Sequence, residues 1–436
     1  MSQGWIEKFA LEAAAAVSLC LLVASCRASP PAGEASFEEL PPPRPGPDDW
    51  PWWRGPTLDG KARSSAPVTW SQTENVVWKV AVPGRGHASP CVSGDRIFLA
   101  TCDETAGTQS ILGFDRKSGK LLWSTTAHEG GLEHRHEKNS HASATPACDG
   151  ERVFVPFLNR GAIHVTATDL DGKILWQRDV GAFETMHGHS SSPVLWKSLV
   201  IVNGDSSAGS FLAALHRKTG EVVWKTPRRN VHSFATPALG IVCGKPQLVI
   251  NAAEMVSSYD PDTGAQLWFC EGPAKIQACT LALGPDLVFA SGGFPEKELI
   301  CLRGDGSGDV TKTHVAWRSK HGVTYVPSPL SHDGKLLVVN DGGVATSFDA
   351  KTGAEIWKGR LPGQFSASPV LAGGLFYATN EAGVTHVFKS GEKLEIVASN
   401  DLEDGGFATP AICGGQIFIR TSHSLYCIGR PVALSE

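Results

Sequence analysis

After residue 25 the apolar residues fall in short runs of four to eight, such as Ile97-Phe98-Leu99-Ala100. Gly, Pro, Asp and Ser punctuate them, and no long stretch has a 3.6-residue period. This pattern predicts many short strands and an all-β chain. One segment recurs. Lys218-Thr219-Gly220-Glu221-Val222-Val223-Trp224 has near-copies ending at Trp123, Trp176, Trp268 and Trp357, and degenerate ones at Trp78 and Trp317. A second marker alternates with it, a small residue plus Pro before an apolar run. It stands at Ser89-Pro90, Thr145-Pro146, Ser192-Pro193, Thr236-Pro237, Ser328-Pro329, Ser368-Pro369 and Thr409-Pro410. An eighth copy, Thr280-Leu281, has lost its Pro. The spacing of 40 to 56 residues is that of four-stranded propeller blades.

Each unit reads as four strands. The Pro opens the first, where a missing N–H is tolerated. A turn such as Ser93-Gly94-Asp95 leads to the second, and the third often ends in Asp, as at Asp115, Asp260 and Asp349. That Asp can bond turn amides, and the following Gly supplies positive φ. The fourth carries the Trp. The eighth unit stops without a Trp strand, whereas Asn75 to Val80 forms one before any complete unit. The economical solution is an eight-bladed β-propeller of four-stranded antiparallel blades, closed when the N-terminal strand joins the last blade. Closure removes the edges of an open array. Blade seven has Val397 where its Trp should be, and blade five carries an insertion from Arg303 to Thr313. Both read as drift of a redundant repeat.

Composition adds little to the fold and more to the compartment. The 436 residues carry a net charge of -5, and no basic surplus points to nucleic acid. Ala13 to Val23 is apolar, follows Lys8 and ends in Val23-Ala24-Ser25-Cys26. The run suits a signal-peptide core better than a membrane span. Small residues before Cys resemble a bacterial lipobox, which makes residues 1–26 a lipoprotein-type signal and Cys26 the lipid-bearing residue; soluble secretion is the alternative. Residues 27–49 hold seven prolines and read as an extended tether. The propeller is placed at 50–436. Nine cysteines follow the signal with no CxxC and no adjacent pair, so no disulfide pairing can be deduced.

The repeated Thr-Gly-x-x-x-Trp pattern resembles the tryptophan-docking motif of pyrroloquinoline-quinone (PQQ) repeat propellers over roughly residues 70–430. Trp78, Trp123, Trp176, Trp224, Trp268, Trp317 and Trp357 would then dock blade on blade. The family includes quinoprotein alcohol dehydrogenases and non-enzymatic envelope lipoproteins of the BamB type. The opening Trp50-Pro51-Trp52-Trp53-Arg54-Gly55-Pro56 is similar to lead-ins of PQQ-repeat proteins of planctomycete-type bacteria. The dehydrogenase branch implies PQQ between a Trp and a vicinal disulfide, with calcium on a carboxylate and an amide. No Cys-Cys pair exists here, and the resemblance places neither calcium ligands nor a catalytic Asp.

Candidate chemistry lies three to five residues before each Pro marker: His87, His141, His189 with His187, His232, Gln277, Tyr325, Phe365 and Phe407. The first strand of a blade is innermost, so these residues are expected around one mouth of the central channel. Imidazoles would come from blades one to four, amide and aromatic groups from the rest. Imidazoles titrate near neutral pH and bind metal. The longest connection, Ala127 to His141, is expected at the same face as a rim loop. His134-x-His136 and His187-x-His189 would each place two rings on one side if extended. A generic polar lining explains the histidines equally. Asp305-Gly306-Ser307-Gly308-Asp309 lacks the distal Glu of a calcium loop and reads as a turn. These features predict a monomeric, lipid-anchored scaffold on the periplasmic face of a bacterial membrane, binding an envelope protein or small ligand at its rim. An oxidoreductase using PQQ or a metal at the histidine-rich mouth is the alternative.

Overall fold

The first strand, Val76–Ala81, lies beside the last, Ser424–Ile428, in antiparallel register, with Trp78 opposite Cys427 and Lys79 opposite Tyr426. This closes a ring of eight sheets in a computed structural model that describes residues 37–229 and 232–430. No helix occurs among the described residues. Blade one is Cys91–Ser93, Arg96–Asp103, Thr108–Asp115 and Leu121–Glu129, each strand bonded to the next. Blades two to seven repeat that order, and Val76–Ala81 becomes the outermost strand of blade eight. The middle strands are covered on both faces, which is why they read as continuous apolar runs. Phe98 and Ile111 of blade one, for example, share a cluster with Val153 and Val155 of blade two.

The Trp strands meet the turns of the following blade. The ring of Trp78 lies over Gly119, Trp123 over Gly172, Trp176 over Gly220, Trp224 over Gly264 and Trp317 over Gly353. Four indoles also cross to the next blade by hydrogen bonds: Trp78 to Arg116 O, Trp123 to Leu170 O, Trp176 to Arg217 O and Trp317 to Ala350 O, at 2.9–3.1 Å. Trp268 departs from the pattern. Its Nε1 donates to Gln247 within its own blade. The turn it would meet is displaced by the blade-five insertion, whose Gly308–Asp309 pairs in parallel with Trp268 and Phe269. The insertion, expected to be drift, is thus a fifth strand on blade four. Val310 is buried beside it and donates its N–H to Phe269 O. Trp357 is buried too, but Gly391 of blade seven makes no contact with it.

The tether needs correction. Residues 38–49 are not free of the propeller. Leu40 N donates to Ser198 Oγ, and Arg217 donates to Pro41 O. Arg116 donates to Asp48 O, and Gly94 N to Asp49 Oδ1. Proline disfavours internal hydrogen bonds; Asp49 N bonds Gly46 O and Gly46 N bonds Asp49 Oδ2 in a turn, while the carbonyls of Pro41 and Asp48 take donors from blades three and one. The chain then crosses the end of the channel. Cys148 N bonds Pro51 O, Trp53 Nε1 bonds Thr280 Oγ1 at 3.0 Å, Arg54 bonds Pro329 O, and Lys61 pairs with Leu371. The proposed signal and Cys26 lie outside the described residues. The nine later cysteines are all free.

Candidate functional site: a floored channel with one decorated mouth

Eight hydroxyl residues, the small member of each Pro marker, form a belt around the channel. Ser89 N donates to Thr145 Oγ1, Thr145 N to Ser192 Oγ, and Ser192 N to Thr236 Oγ1. Thr280 N donates to Ser328 Oγ, Ser328 N to Ser368 Oγ, Ser368 N to Thr409 Oγ1, and Thr409 N back to Ser89 Oγ. The distances are 2.9–3.1 Å. Seven of the first strands thereby satisfy a backbone N–H that no sheet ladder serves. In the blade whose marker lost its Pro, the Thr280 hydroxyl instead accepts from Trp53, and that indole floors the channel. The cavity above it measures about 310 Å³.

Extended chain alternates its side chains. Two residues before each belt hydroxyl, a second ring faces the lumen: His87, Ser143, Ser190, Phe234, Ala278, Val326, Ser366 and Phe407. The intervening residues are small and buried in the blades, as Ala88, Ala235, Ala367 and Ala408 show. This register decides where the predicted residues go. His87 and Phe407 sit at the lumen position with their rings in tilted contact, centres 4.6 Å apart. Tyr325 and His187 also line the cavity, Tyr325 from the position just before the lumen residue Val326. Gln277 and Phe365 stand at the same offset as Tyr325, one residue before the lumen position, but turn into the blades. Gln277 is fully buried and donates to Ala274 O. Phe365 belongs to a core cluster with Leu361 and Phe388. His189 is buried edge-on against Phe183. It therefore does not share a side with His187. His141 lies with His134 and His189 in a small neighbouring crevice, outside the channel. His232 does not line the cavity; the pKa of His187 is lowered by burial first, and then by His136 and His232 nearby.

The long loop supplies the groups that the marker spacing misses. His136, Lys138 and Asn139 line the mouth. Arg85 holds the loop through Glu137 O and Asn139 O, and Asn139 Nδ2 donates to His187 O at 2.7 Å. His136 stacks on His187 at 5.6 Å, and His187 meets Phe234 at 5.1 Å. Lys138 Nζ reaches Glu381 of blade seven at 3.1 Å, and Glu381 also accepts from Ser366. Among the described residues no three His, Cys, Asp or Glu side chains are grouped to hold a metal ion.

The family model described as outer membrane protein assembly factor BamB matches residues 63–269 and 252–400. The chain belongs to the BamB family of PQQ-repeat propellers. It is 24% identical to the outer membrane protein assembly factor BamB of Burkholderia pseudomallei over 79% of this chain and 85% of that one. It is 22% identical to the tetrathionate hydrolase of Acidithiobacillus ferrooxidans over 71% of this chain, and it spans 66% of the hydrolase's length. The fold also matches the crystal structure of a quinohemoprotein alcohol dehydrogenase from Comamonas testosteroni. The TM-score is 0.60 at 10% identity, covering 89% of this chain and 82% of the other.

Within this BamB-family ring burial holds two of the predicted histidines neutral. Burial, with Arg420, Arg85 and Arg135 nearby, pushes His87 down to about 3. Burial pushes His189 down to about 4. Both are neutral in the folded protein at pH 7. In the unfolded chain each titrates near 6.5. Below that pH the unfolded state binds protons that the folded state refuses, so stability is full above 6.5 and falls as pH drops toward 4. For His189, burial alone predicts a loss of about 2–3 kcal/mol by pH 4.5. Urea unfolding at pH 7.5 and 4.5 should show it, and His189→Gln should shrink the difference. An unchanged difference in the variant would mean that His189 is not a source of the acid sensitivity.

Proposed function

We propose that this BamB-family protein is an exported cell-envelope scaffold that receives a protein partner at the loop-decorated mouth of its propeller. Export and anchoring through Cys26 rest on the apolar run Ala13 to Val23 and the Val23-Ala24-Ser25-Cys26 sequence. A family that contains an outer membrane assembly factor supports the envelope setting. One observation carries the choice of face. The chain's own residues 50–62 cross the far end of the channel, with Trp53 as floor, while the mouth presents a loop pinned between His187 and Glu381. Loops on a rigid scaffold are the usual carriers of binding. Replacing residues 132–138 by a Gly-Ser linker should shift the melting temperature by only a few degrees and abolish co-purification of envelope proteins. Undiminished co-purification would refute the assignment of this face.

The quinone reading meets an obstacle in the same cavity. The dehydrogenase branch implies a PQQ sealed between Trp and adjacent cysteines, with a carboxylate on calcium. The cavity offers an indole, Trp53, but the sequence has no adjacent cysteines, and no Asp or Glu is among the described residues that line it. The residues present do not fit that cofactor pair.

A further inference from the structure

The same lining that disfavours a calcium-bound quinone is built for another class of ligand. We infer that the floored channel binds a small organic anion directly, through hydroxyl and cationic groups and without a metal ion. The belt is the first reason. Seven of its hydroxyl oxygens accept a backbone N–H from the preceding blade, and the eighth, Thr280, accepts from Trp53. No described protein group takes the hydrogen of any of them. Each hydroxyl keeps one donor, and accepting a bond strengthens that donor. The ring therefore offers O–H groups to whatever occupies the lumen.

Charge is the second reason. Lys138 lines the cavity and no carboxylate does among the described residues, while the three imidazoles there, His87 held neutral by burial, serve as hydrogen-bonding groups rather than charges. Lys138 is already paired with Glu381, so the uncompensated positive charge comes from behind the lining. Glu381 accepts from Lys138 and Ser366, and Asp341 accepts from the amides of Tyr325 and Val326. Behind His87 the guanidinium of Arg420 is buried, bonded to Ala100 O, with no carboxylate ion-paired to it among the described residues. Beneath the floor Arg54 is likewise buried, on the carbonyls of Asp59 and Pro329. Two buried cations held by carbonyls alone leave a positive field at the cup, where hydrogen bonds to an anion are about twice as strong as neutral ones.

Shape gives the body of the ligand. About 310 Å³ is at the small end of ligand cavities. Its flat surfaces are Trp53, Phe234, Tyr325 and Phe407. An aromatic or unsaturated acid can stack on these rings while its carboxylates meet the belt and the loop.

Isothermal titration of the full chain in EDTA tests this with phthalate, a small aromatic dianion, and phthalamide, its neutral counterpart. Phthalate should bind one per chain, at least tenfold tighter than phthalamide, with the same affinity whether or not EDTA is present. Thr280→Val, which replaces a hydroxyl by a methyl, should weaken it at least fivefold, and Thr280→Ser should not. Lys138→Gln, in an exposed loop where folding is not at stake, should also weaken it at least fivefold. Equal affinity for the diamide, loss of binding in EDTA, no saturable heat, or full affinity in both Lys138→Gln and Thr280→Val would each overturn the inference. The outcome is separate from that of the partner assignment, because co-purification and phthalate binding are read on different preparations.

Discussion

Deleting residues 70–82 should leave no folded ring. Those residues supply the outermost strand of blade eight, with five register pairs to Ser424–Ile428. Trp70 N bonds Asn400 Oδ1 of blade seven, and Trp78 Nε1 bonds Arg116 O of blade one. The segment therefore ties three blades together. Trp70, Val82 and the surrounding strands share one cluster with Phe114, Tyr377 and Tyr426. Without the strand, that cluster is opened to water and the edge of Ser424–Ile428 is left unpaired, a template for aggregation. The expected result is loss of the cooperative thermal transition in far-UV circular dichroism, with aggregated or expanded species in sedimentation. A truncated protein that melts cooperatively within a few degrees of the full chain would contradict the closure.

Gly220→Val should be strongly destabilising at its blade junction. Gly220 has φ of 71°, a conformation that a β-branched residue strongly resists. A carbon added there would lie 2.5 Å from the Trp176 ring. Trp176 cannot retreat freely, because its Nε1 is bonded to Arg217 O and its ring packs on Phe154. Backbone strain and overpacking together predict a loss of about 3–5 kcal/mol. The matched control is Gly244→Val, also at positive φ (73°) but with nothing within 4 Å. Denaturant unfolding of the two variants separates strain from the indole contact. Equal losses would mean that the Trp–Gly contact contributes nothing.

The ring was legible because each repeat encodes its own turn, strand and Trp. Fixed spacing then counts the blades without knowledge of any contact. The missing eighth Trp strand pointed to Val76–Ala81 for the same reason. The mouth was harder to read. It depends on which of two alternating positions faces the lumen, and a shift of one residue exchanges channel for core. Gln277 and Phe365 precede the marker just as Tyr325 does, one position from the lumen register, and of the three the tyrosine alone reaches the cavity. Counting back two from each hydroxyl finds Ser143, Phe234, Ala278, Val326 and Ser366 directly. Pairing across large sequence separations was not readable at all. Nothing local in the insertion at Gly308 says that it will lie beside Trp268, and nothing in Trp53 says that it will meet Thr280. The lost Pro at Leu281 was the available signal for the second. The prolines of residues 41–47 marked an extended segment correctly in kind but not in place, because an extended chain with free carbonyls can lie along a surface as readily as in water.

The most direct measurement is photocrosslinking in intact cells, with the reactive residue placed at Ser366 in the mouth or at Ile241 on the opposite face. Ser366 lines the cavity beside Glu381, and Ile241 is 59% exposed near the far end. The scaffold reading predicts a discrete crosslinked band to an envelope protein from Ser366 and none from Ile241. Crosslinks from Ile241 alone would contradict it.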